Sequence, residues 1–352
     1  MRAHWRIVVP ERLRPATRYT PLRGMQTRTF GRLGVVSALS LGGGGIGGTW
    51  GPRTRDESVA TVHDAVEAGI TLIDVAPAYG NGEAEVVIGE AFNGRLPAGI
   101  RIATKVALFA RWSRVRAMLT ERPLTTDGLN AAIESSVSES LARLRIPRID
   151  VLFVHDPLIQ DDHSAAEFGL PSCLYRDVVR PLMARLADEG RIGAWGISAT
   201  GDVPTVIAAL QDDPAPEVAQ VEFNVLRSGA ATGSSALRPG ATELIAAAVL
   251  RDVAVMCIRP TESGALTDGF DRAVDDEAAA AFQRAEPFRQ LARELGIPPA
   301  ALAHRYALTL PGVATVTLGV KNRVELRDAL EAEAAGPLPD AIMDRIHAVI
   351  AA

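Results

Sequence analysis

Residues 71–92 read TLIDVAPAYGNGEAEVVIGEAF, and this stretch holds one complete unit of the pattern that decides the fold. The apolar run Thr71 to Asp74 predicts a short strand, and Glu83 to Ala91 has the amphipathic spacing of a helix. A strand followed by such a helix is the building unit of parallel sheets, because the helix returns the chain to the start of the next strand. The fold class therefore depends on how often this unit recurs.

The same unit recurs eight times after residue 25. Strands are expected at Val36 to Leu41, Thr71 to Asp74, Ile102 to Lys105, Asp150 to Val154, Ile192 to Gly196, Val218 to Glu222, Ala254 to Ile258 and Ala314 to Leu318. Helices are expected at Glu57 to Ala68, Glu83 to Ala91, Leu129 to Leu144, Arg176 to Asp188, Val203 to Leu210, Ala241 to Leu250, Ala278 to Leu295, Ala300 to Thr309 and Val324 to Ala335. Eight units without a linker-like break favour one α/β domain, a (β/α)8 TIM barrel over residues 25–352, and a doubly wound sheet is the runner-up.

Residues 1–24 stand apart from this pattern. They contain six arginines and three prolines but no apolar run of the kind found in a secretory signal. We expect a flexible N-terminal tail, or a start codon assigned too early ahead of Met25. A cytoplasmic location follows as the expectation.

Composition argues against several classes of function. The 352 residues are 47% hydrophobic and 22% charged, which is typical of a globular enzyme. The net charge of -5 argues against nucleic acid and membrane surfaces as partners. Cys173 and Cys257 lack metal-ligand spacing, so we predict neither a disulfide nor a metal site. A monomer or a weak homo-oligomer suits this architecture.

The basic residues are strongly biased toward arginine. Of 37 basic residues only two are lysines, Lys105 and Lys321. An arginine bias spares lysine where a compact ammonium on a flexible stem is required, although chance survival is the alternative. The positions of the two lysines must therefore decide between these explanations.

Four ionisable residues fall at the ends of three consecutive predicted strands. Asp74 ends the second strand and Tyr79 follows it, Lys105 ends the third, and His155 ends the fourth. The carboxyl ends of barrel strands converge on the catalytic face, so we expect these side chains to meet there. A carboxylate keeps a lysine charged, and a charged lysine lowers the pKa of a phenol from about 10 toward neutrality. Tyr79 then becomes a usable proton donor.

Each of these residues also has a purely structural interpretation. Asp74 suits a helix cap, Tyr79 a pocket wall, Lys105 a solvated strand end and His155 a core position. Their joint placement favours the catalytic interpretation over four separate accidents.

The motifs around these residues resemble those of the aldo-keto reductases. The resemblance rests on Ile73 to Glu83 with Gly89 in the following helix, on Ile102 to Val106, and on Asp150 to His155. It implies a (β/α)8 barrel and a nicotinamide cofactor bound without a Rossmann fold. It also implies a catalytic tetrad in which Tyr79 is the general acid, Lys105 and Asp74 tune it, and His155 orients the carbonyl.

The resemblance also implies contacts to the nicotinamide carboxamide from Ser198 and Gln220. Two positions depart from the family pattern. Ala199 stands where an asparagine is usual, and Ile258 stands where a tyrosine commonly stacks on the nicotinamide. The resemblance therefore implies one hydrogen bond fewer at Ala199, and stacking that is weakened or replaced by apolar packing at Ile258.

The last predicted strand leads into a basic segment, Gly319-Val320-Lys321-Asn322-Arg323, directly before a helix. A helix N-terminus with Lys321 and Arg323 beside it suits a phosphate, and an ordinary basic loop is the alternative. The segment resembles the family's site for the adenosine 2′-phosphate, with Gly319 and Asn322 as further members. It predicts NADP(H) in preference to NAD(H).

The glycine run Gly42 to Gly48 formally matches the spacing of a dinucleotide-binding fingerprint. That fingerprint needs a helix opening directly on the glycines, whereas Thr49 to Arg53 intervene. We therefore expect a glycine-rich turn or a loop that passes close to the cofactor.

Substrate contacts are expected from Trp50, Phe109, Trp112 and Arg259, which follow the first, third and seventh strands. Arginines around Trp112 suggest an anionic or sugar-like substrate. The predicted reaction is hydride transfer between the nicotinamide and an aldehyde or ketone, or the corresponding alcohol. The alternatives are a nucleotide-binding regulatory subunit with little turnover, and an isomerase, dehydratase or lyase that uses the same four residues.

Overall fold

The computed structural model describes residues 24–109, 125–161, 169–227 and 240–351. The strands in chain order are β1 Thr27–Thr29, β2 Val35–Ser37, β3 Leu39–Gly42, β4 Leu72–Asp74, β5 Arg101–Val106, β6 Ile149–Val154, β7 Leu158–Ile159, β8 Leu170–Pro171, β9 Ile192–Ser198, β10 Val218–Glu222, β11 Ala254–Ile258 and β12 Val313–Leu318. Eight of them form a closed parallel barrel in the order β3, β4, β5, β6, β9, β10, β11, β12. The predicted (β/α)8 barrel is confirmed.

Helices pack against the outer face of the barrel and join its strands. In chain order they are α1 Gly43–Ile46, α2 Arg55–Glu67, α3 Glu83–Phe92, α4 Thr126–Leu144, α5 Ser172–Leu174, α6 Arg180–Asp188, α7 Val203–Gln211, α8 Ala241–Val249, α9 Asp276–Arg284, α10 Glu286–Leu295, α11 Pro299–Thr309, α12 Arg323–Ala334 and α13 Asp340–Ala351. Within the described ranges, none of the helices is long and apolar enough to cross a membrane.

The apolar core has two parts, because successive side chains of a strand point to opposite sides of the barrel wall. The larger part lies between the strands and the helices. The smaller part fills the interior and includes Leu72, Ala103 and Phe153. Phe30 and Val36 belong to the interior cluster, so the β1–β2 hairpin that carries them closes the end of the barrel where the strands begin.

The start of the barrel differs from the prediction. The expected strand from Val36 to Leu41 is divided, because Val36 pairs with Arg28 in the hairpin while Leu39 pairs with Val316 of the barrel. The chain changes partners at Ala38, so one apolar run serves two sheets.

Two predicted helices also differ from the structure. The expected helix from Ala278 to Leu295 is divided at Ala285, because Pro287 has no N–H to continue the first helix and instead opens the second. The expected helix from Arg176 begins as a π-helical turn over Tyr175–Val179. Helix α13 was not predicted.

The glycine run after β3 forms a single helical turn, α1, where a glycine-rich turn or a loop close to the cofactor was expected. A Cβ at Gly45 would lie 2.0 Å from the carbonyl oxygen of Val320, so the loop after β3 packs backbone against the loop after β12. Glycine is required here by close packing of two loops. The first long helix starts only at Arg55, and the dinucleotide fingerprint stays excluded.

Candidate active site

The predicted catalytic residues lie on the interior face of the barrel, at the ends of neighbouring strands. Asp74 follows Leu72 by two positions, Lys105 follows Ala103, and His155 follows Phe153, so each points to the same side as an interior apolar residue. Register places β4 beside β5 and β5 beside β6, which brings the three strand ends together. The same alternation continues to Ser198 of β9 and Gln220 of β10.

Lys105 is the centre of this group. Its ammonium donates to Oδ1 of Asp74 at 2.6 Å and to the carbonyl oxygen of Val75 at 2.9 Å, and its side chain is almost fully buried. Burial acts against the charged form, but the Asp74 carboxylate and the Tyr79 phenol outweigh it and raise the pKa of Lys105 above its usual value. The Lys105 ammonium therefore places a permanent positive charge in the site. We call the group formed by Asp74, Tyr79, Lys105 and His155 the floor of the site.

Tyr79 lies next to this charge, with the centre of its ring 5.0 Å from the Lys105 ammonium. Burial raises the pKa of the Tyr79 phenol, and the Lys105 ammonium opposes that effect without overcoming it. The prediction of a pKa lowered toward neutrality is therefore wrong for this structure, because it took account of the charge and neglected the loss of water. The phenol keeps its proton and is available as an acid.

His155 lies on the other side of Tyr79, at 6.1 Å between ring centres and with the rings perpendicular. Burial lowers the pKa of His155 to about 3, and the charges of Lys105 and Arg259 act in the same direction. The imidazole is therefore neutral at physiological pH. It can donate or accept a hydrogen bond, but it holds no second proton to give away.

Ser198 and Gln220 lie next to this floor and suit hydrogen bonds to the amide of a cofactor. Ser198 is 3% exposed, and its Oγ has no hydrogen-bond partner within the part of the chain that the structure describes. Gln220 is also buried and donates from Nε2 to Oδ1 of Asp74 at 2.8 Å. Because buried hydroxyls are normally paired, the free Ser198 oxygen suits a ligand such as a carboxamide. Gln220 supports Asp74, a contact that sequence reasoning missed.

The basic segment after β12 is more crowded with carboxylates than the sequence predicted. The Lys321 ammonium contacts Asp271 and lies 3.3 Å from Glu325, and the Arg323 guanidinium contacts Glu57 at 3.0 Å. Asn322 caps α12 by accepting from the backbone N–H of Glu325. The phosphate site implied by the resemblance therefore has its cations already paired.

Trp50 belongs to this same region, although it was predicted to contact substrate. A Cβ at Gly319 would meet the Trp50 indole nitrogen at 3.4 Å, and a Cβ at Gly44 would lie only 2.3 Å from it. The Arg272 guanidinium lies 5.6 Å from the centre of the Trp50 ring. The indole thus packs between the glycines of two loops, and Gly44 leaves room for it.

Arg259, directly after β11, is the other predicted substrate residue that the structure connects to the site. Its guanidinium is 43% exposed and lies 3.2 Å from Glu222, and its charge acts on the pKa values of both Tyr79 and His155. Arg259 has a positive φ of 55°, which is uncommon for a residue other than glycine and marks the end of the regular strand.

Phe109 is held at the mouth by a residue that sequence reasoning passed over. Asp156 is fully buried, and its carboxylate accepts from the backbone N–H groups of Leu108 and Phe109, each at 2.7 Å. Its position next to His155 was the only signal for it in the sequence. Trp112 and the arginines around it lie outside the described residues.

The closed parallel barrel carries a lysine–aspartate pair, a tyrosine and a neutral histidine at the carboxyl ends of its strands. This arrangement is typical of an α/β-barrel enzyme whose active site contains a general acid. The chain belongs to the aldo/keto reductase family, whose family model matches residues 38–351.

The known relatives agree with this membership. The chain is 35% identical to the aldo-keto reductase YhdN of Bacillus subtilis over 46% of its own length and 43% of that protein, so it spans less than half of that relative. It is 26% identical to a pyridoxal 4-dehydrogenase of Microbacterium luteolum over 87% of this chain and 92% of that protein. A solved aldo-keto reductase of Bacillus halodurans, in its holo form, shares the fold with a TM-score of 0.66 at 21% identity, covering 93% and 97% of the two chains.

Proposed function

We propose that this protein is an NAD(P)-dependent oxidoreductase that interconverts an aldehyde or ketone and the corresponding alcohol. The observation that carries the proposal is the joint geometry of Lys105, Asp74, Tyr79 and His155 at the barrel mouth, beside the unpaired hydroxyl of Ser198. Family membership and relatives named as reductases and dehydrogenases support it. A bound nicotinamide would supply or accept the hydride.

Tyr79 is proposed as the group that donates a proton to the carbonyl oxygen during reduction. An oxygen that gains negative charge needs a proton at the moment of hydride transfer, and a phenol that is still protonated can give one. Lys105 then stabilises the phenolate that remains, because its ammonium is held nearby by Asp74. In alcohol oxidation the same phenolate accepts the proton.

His155 is proposed to orient the substrate. Its neutral imidazole can donate one hydrogen bond to the carbonyl oxygen next to Tyr79, which fixes that oxygen between the two rings. Because the imidazole is not a strong acid at neutral pH, the proton comes from Tyr79.

Ser198 and Gln220 are proposed to hold the carboxamide of the nicotinamide. Ser198 offers a free buried hydroxyl, whereas Gln220 already gives one hydrogen bond to Asp74 and has its remaining amide atoms for the cofactor. With Ala199 and Ile258 at their positions, apolar packing replaces one amide contact and one ring contact. The expected preference for NADP(H) depends on Lys321 and Arg323 and stays a prediction. The carboxylates that pair with these two residues argue against it.

Arg259 and Phe109 are proposed as substrate contacts. The half-buried ring of Phe109 offers an apolar wall, and the exposed guanidinium of Arg259 favours a carbonyl compound that carries negative charge or many hydroxyl groups. Trp50, whose half-buried ring packs between Gly44 and Gly319, stays a predicted substrate contact.

The test is a titration of the purified protein with NADH and NADPH, followed by tryptophan fluorescence, together with a panel of carbonyl compounds on the same samples. We expect saturable binding of a dinucleotide and oxidation of it that requires a carbonyl. Binding without turnover on any carbonyl or alcohol would favour the regulatory or non-redox alternatives, and no binding would reject the proposal.

A further inference from the structure

The two cations that follow β12 are already paired with carboxylates of α12 and of neighbouring segments. Two cations, Lys321 and Arg323, contact three carboxylates, those of Glu57, Asp271 and Glu325. We call these five residues the β12 corner. The proposed function places the adenosine end of the dinucleotide at this corner, because the segment resembles the family's site for the adenosine 2′-phosphate.

The cations of the β12 corner are held closely. Glu57 accepts from Nε of Arg323 at 3.1 Å and from its Nη2 at 3.0 Å, and this pairing raises the pKa of Arg323. The Lys321 ammonium is shared between Asp271 and Glu325. A phosphate would have to displace these carboxylates or sit beside them.

Three backbone donors of the β12 corner are also occupied. The N–H of Arg323 donates to Oε1 of Glu57 at 3.0 Å, that of Lys321 donates to Oε2 of Glu325 at 2.9 Å, and that of Glu325 donates to its cap Asn322 at 2.9 Å. These are the groups by which a helix N-terminus normally binds an anion. In this chain the Glu57 carboxylate already holds the position of the anion.

A ribose hydroxyl requires the opposite surroundings from a phosphate. The 2′-phosphate of NADP(H) carries about two negative charges near neutral pH, whereas the 2′-hydroxyl of NAD(H) donates a hydrogen bond. A carboxylate accepts such a bond, and Rossmann proteins that use NAD bind the ribose in this way. The β12 corner is therefore complementary to the hydroxyl and repels the phosphate.

We propose that the carboxylates of Glu57 and Asp271 select NAD(H) against NADP(H), with Glu57 as the main determinant. This inference rests on the proposed function, since it requires that a dinucleotide binds at the barrel mouth. It reverses the preference expected from the sequence, because the two basic residues act as partners of carboxylates and are not free to bind phosphate.

The experiment measures dissociation constants for NADH and NADPH by fluorescence titration of the full-length protein, independently of turnover. We expect wild type to bind NADH at least about tenfold more tightly than NADPH, since like charges across an interface disfavour binding. Glu57→Gln keeps the shape and removes the charge, and we expect it to tighten NADPH binding about tenfold relative to NADH binding. Asp271→Asn should act in the same direction with a smaller effect.

Glu294→Gln is the matched control, because Glu294 also pairs with an arginine of another helix, Arg345 at 2.9 Å, at an exposed position away from the corner. It should leave both constants unchanged. A wild-type preference for NADPH, or an NADPH constant that neither Glu57→Gln nor Asp271→Asn changes, would overturn the inference. Failure of wild type to bind either dinucleotide would instead reject the proposed function.

Discussion

The floor of the barrel mouth and the β12 corner both contain a lysine paired with aspartate, but the two pairs differ in what surrounds them. Lys105 and Asp74 are nearly fully buried, whereas Asp271, which pairs with Lys321, is 56% exposed. On the floor, neighbouring strands hold the partners in place. At the corner, the partners come from separate loops and water competes for them. In our proposals the buried pair supports the chemistry, while the exposed pair helps to select the dinucleotide.

The strongest test of this contrast is Tyr79→Phe, which removes the proposed acid from the floor and very little volume. We expect kcat to fall by about 100- to 10,000-fold, because general acid catalysis contributes on that scale. The dissociation constant for the dinucleotide should stay near the wild-type value. Steady-state kinetics and fluorescence titration measure the two quantities.

Tyr175→Phe is the matched control for that substitution. Tyr175 is buried outside the barrel, and its hydroxyl has no hydrogen-bond partner in the described part of the chain. The kcat of Tyr175→Phe should equal that of wild type. Full activity in Tyr79→Phe would remove Tyr79 from the mechanism.

Breaking the buried pair should cost the fold as well as the activity. Lys105→Met leaves the Asp74 carboxylate buried without its countercharge, so we expect the free energy of unfolding to drop by about 3–5 kcal/mol. The double variant Asp74→Asn with Lys105→Met should recover part of that loss, because no charge remains buried. Urea denaturation checks both values, and a Lys105→Met protein as stable as wild type would contradict the account.

The pH dependence of stability gives a further test of the floor. Because the pKa of His155 lies at about 3 in the folded protein, below its unfolded value, the folded state binds fewer protons. The stability due to His155 is therefore present above pH of about 6.5 and is lost as the pH falls toward about 3.

His155→Gln should reduce the slope of the unfolding free energy against pH between these limits, by the amount that corresponds to about one bound proton. Denaturation curves at several pH values measure the slope. An unchanged slope, or an imidazole that NMR shows to be protonated at neutral pH, would contradict the neutral role assigned to His155.

The smallest effect is expected at the corner. Arg323→Gln breaks the pair with Glu57, whose side chains are 29% and 30% exposed, and the free energy of unfolding should fall by about 1 kcal/mol or less. Arg345→Gln breaks a more exposed pair with Glu294, whose side chains are 49% and 51% exposed, and serves as the fully surface reference. A loss at Arg323 as large as that at Lys105 would mean that the corner is part of the structural core.

The sequence predicts the floor well because its geometry depends on local rules. The alternation of side chains along strands fixes that Asp74, Lys105 and His155 point inward, and the order of the strands makes them neighbours. Eight strands were found at or near their predicted positions for the same reason. The divided first strand was missed because its apolar residues suit a hairpin and a barrel equally well.

The sequence predicts the corner poorly because its partners are far apart along the chain. Glu57 precedes Arg323 by 266 positions, and Asp271 precedes Lys321 by 50. No periodicity links such residues, and a basic segment before a helix looks the same whether its charges are free or paired. The pKa of Tyr79 was missed for a related reason, since its direction depends on how much water the folded loops exclude.

The measurement that tests the central claim most directly follows a labelled hydride. Reduced dinucleotide that carries deuterium at both positions of the reactive carbon is incubated with the protein and carbonyl compounds, and the products are analysed by mass spectrometry. The account predicts one deuterium on the new carbinol carbon for wild type and a severe loss of labelled product with Tyr79→Phe. Product that forms without deuterium, or without consumption of the dinucleotide, would contradict it.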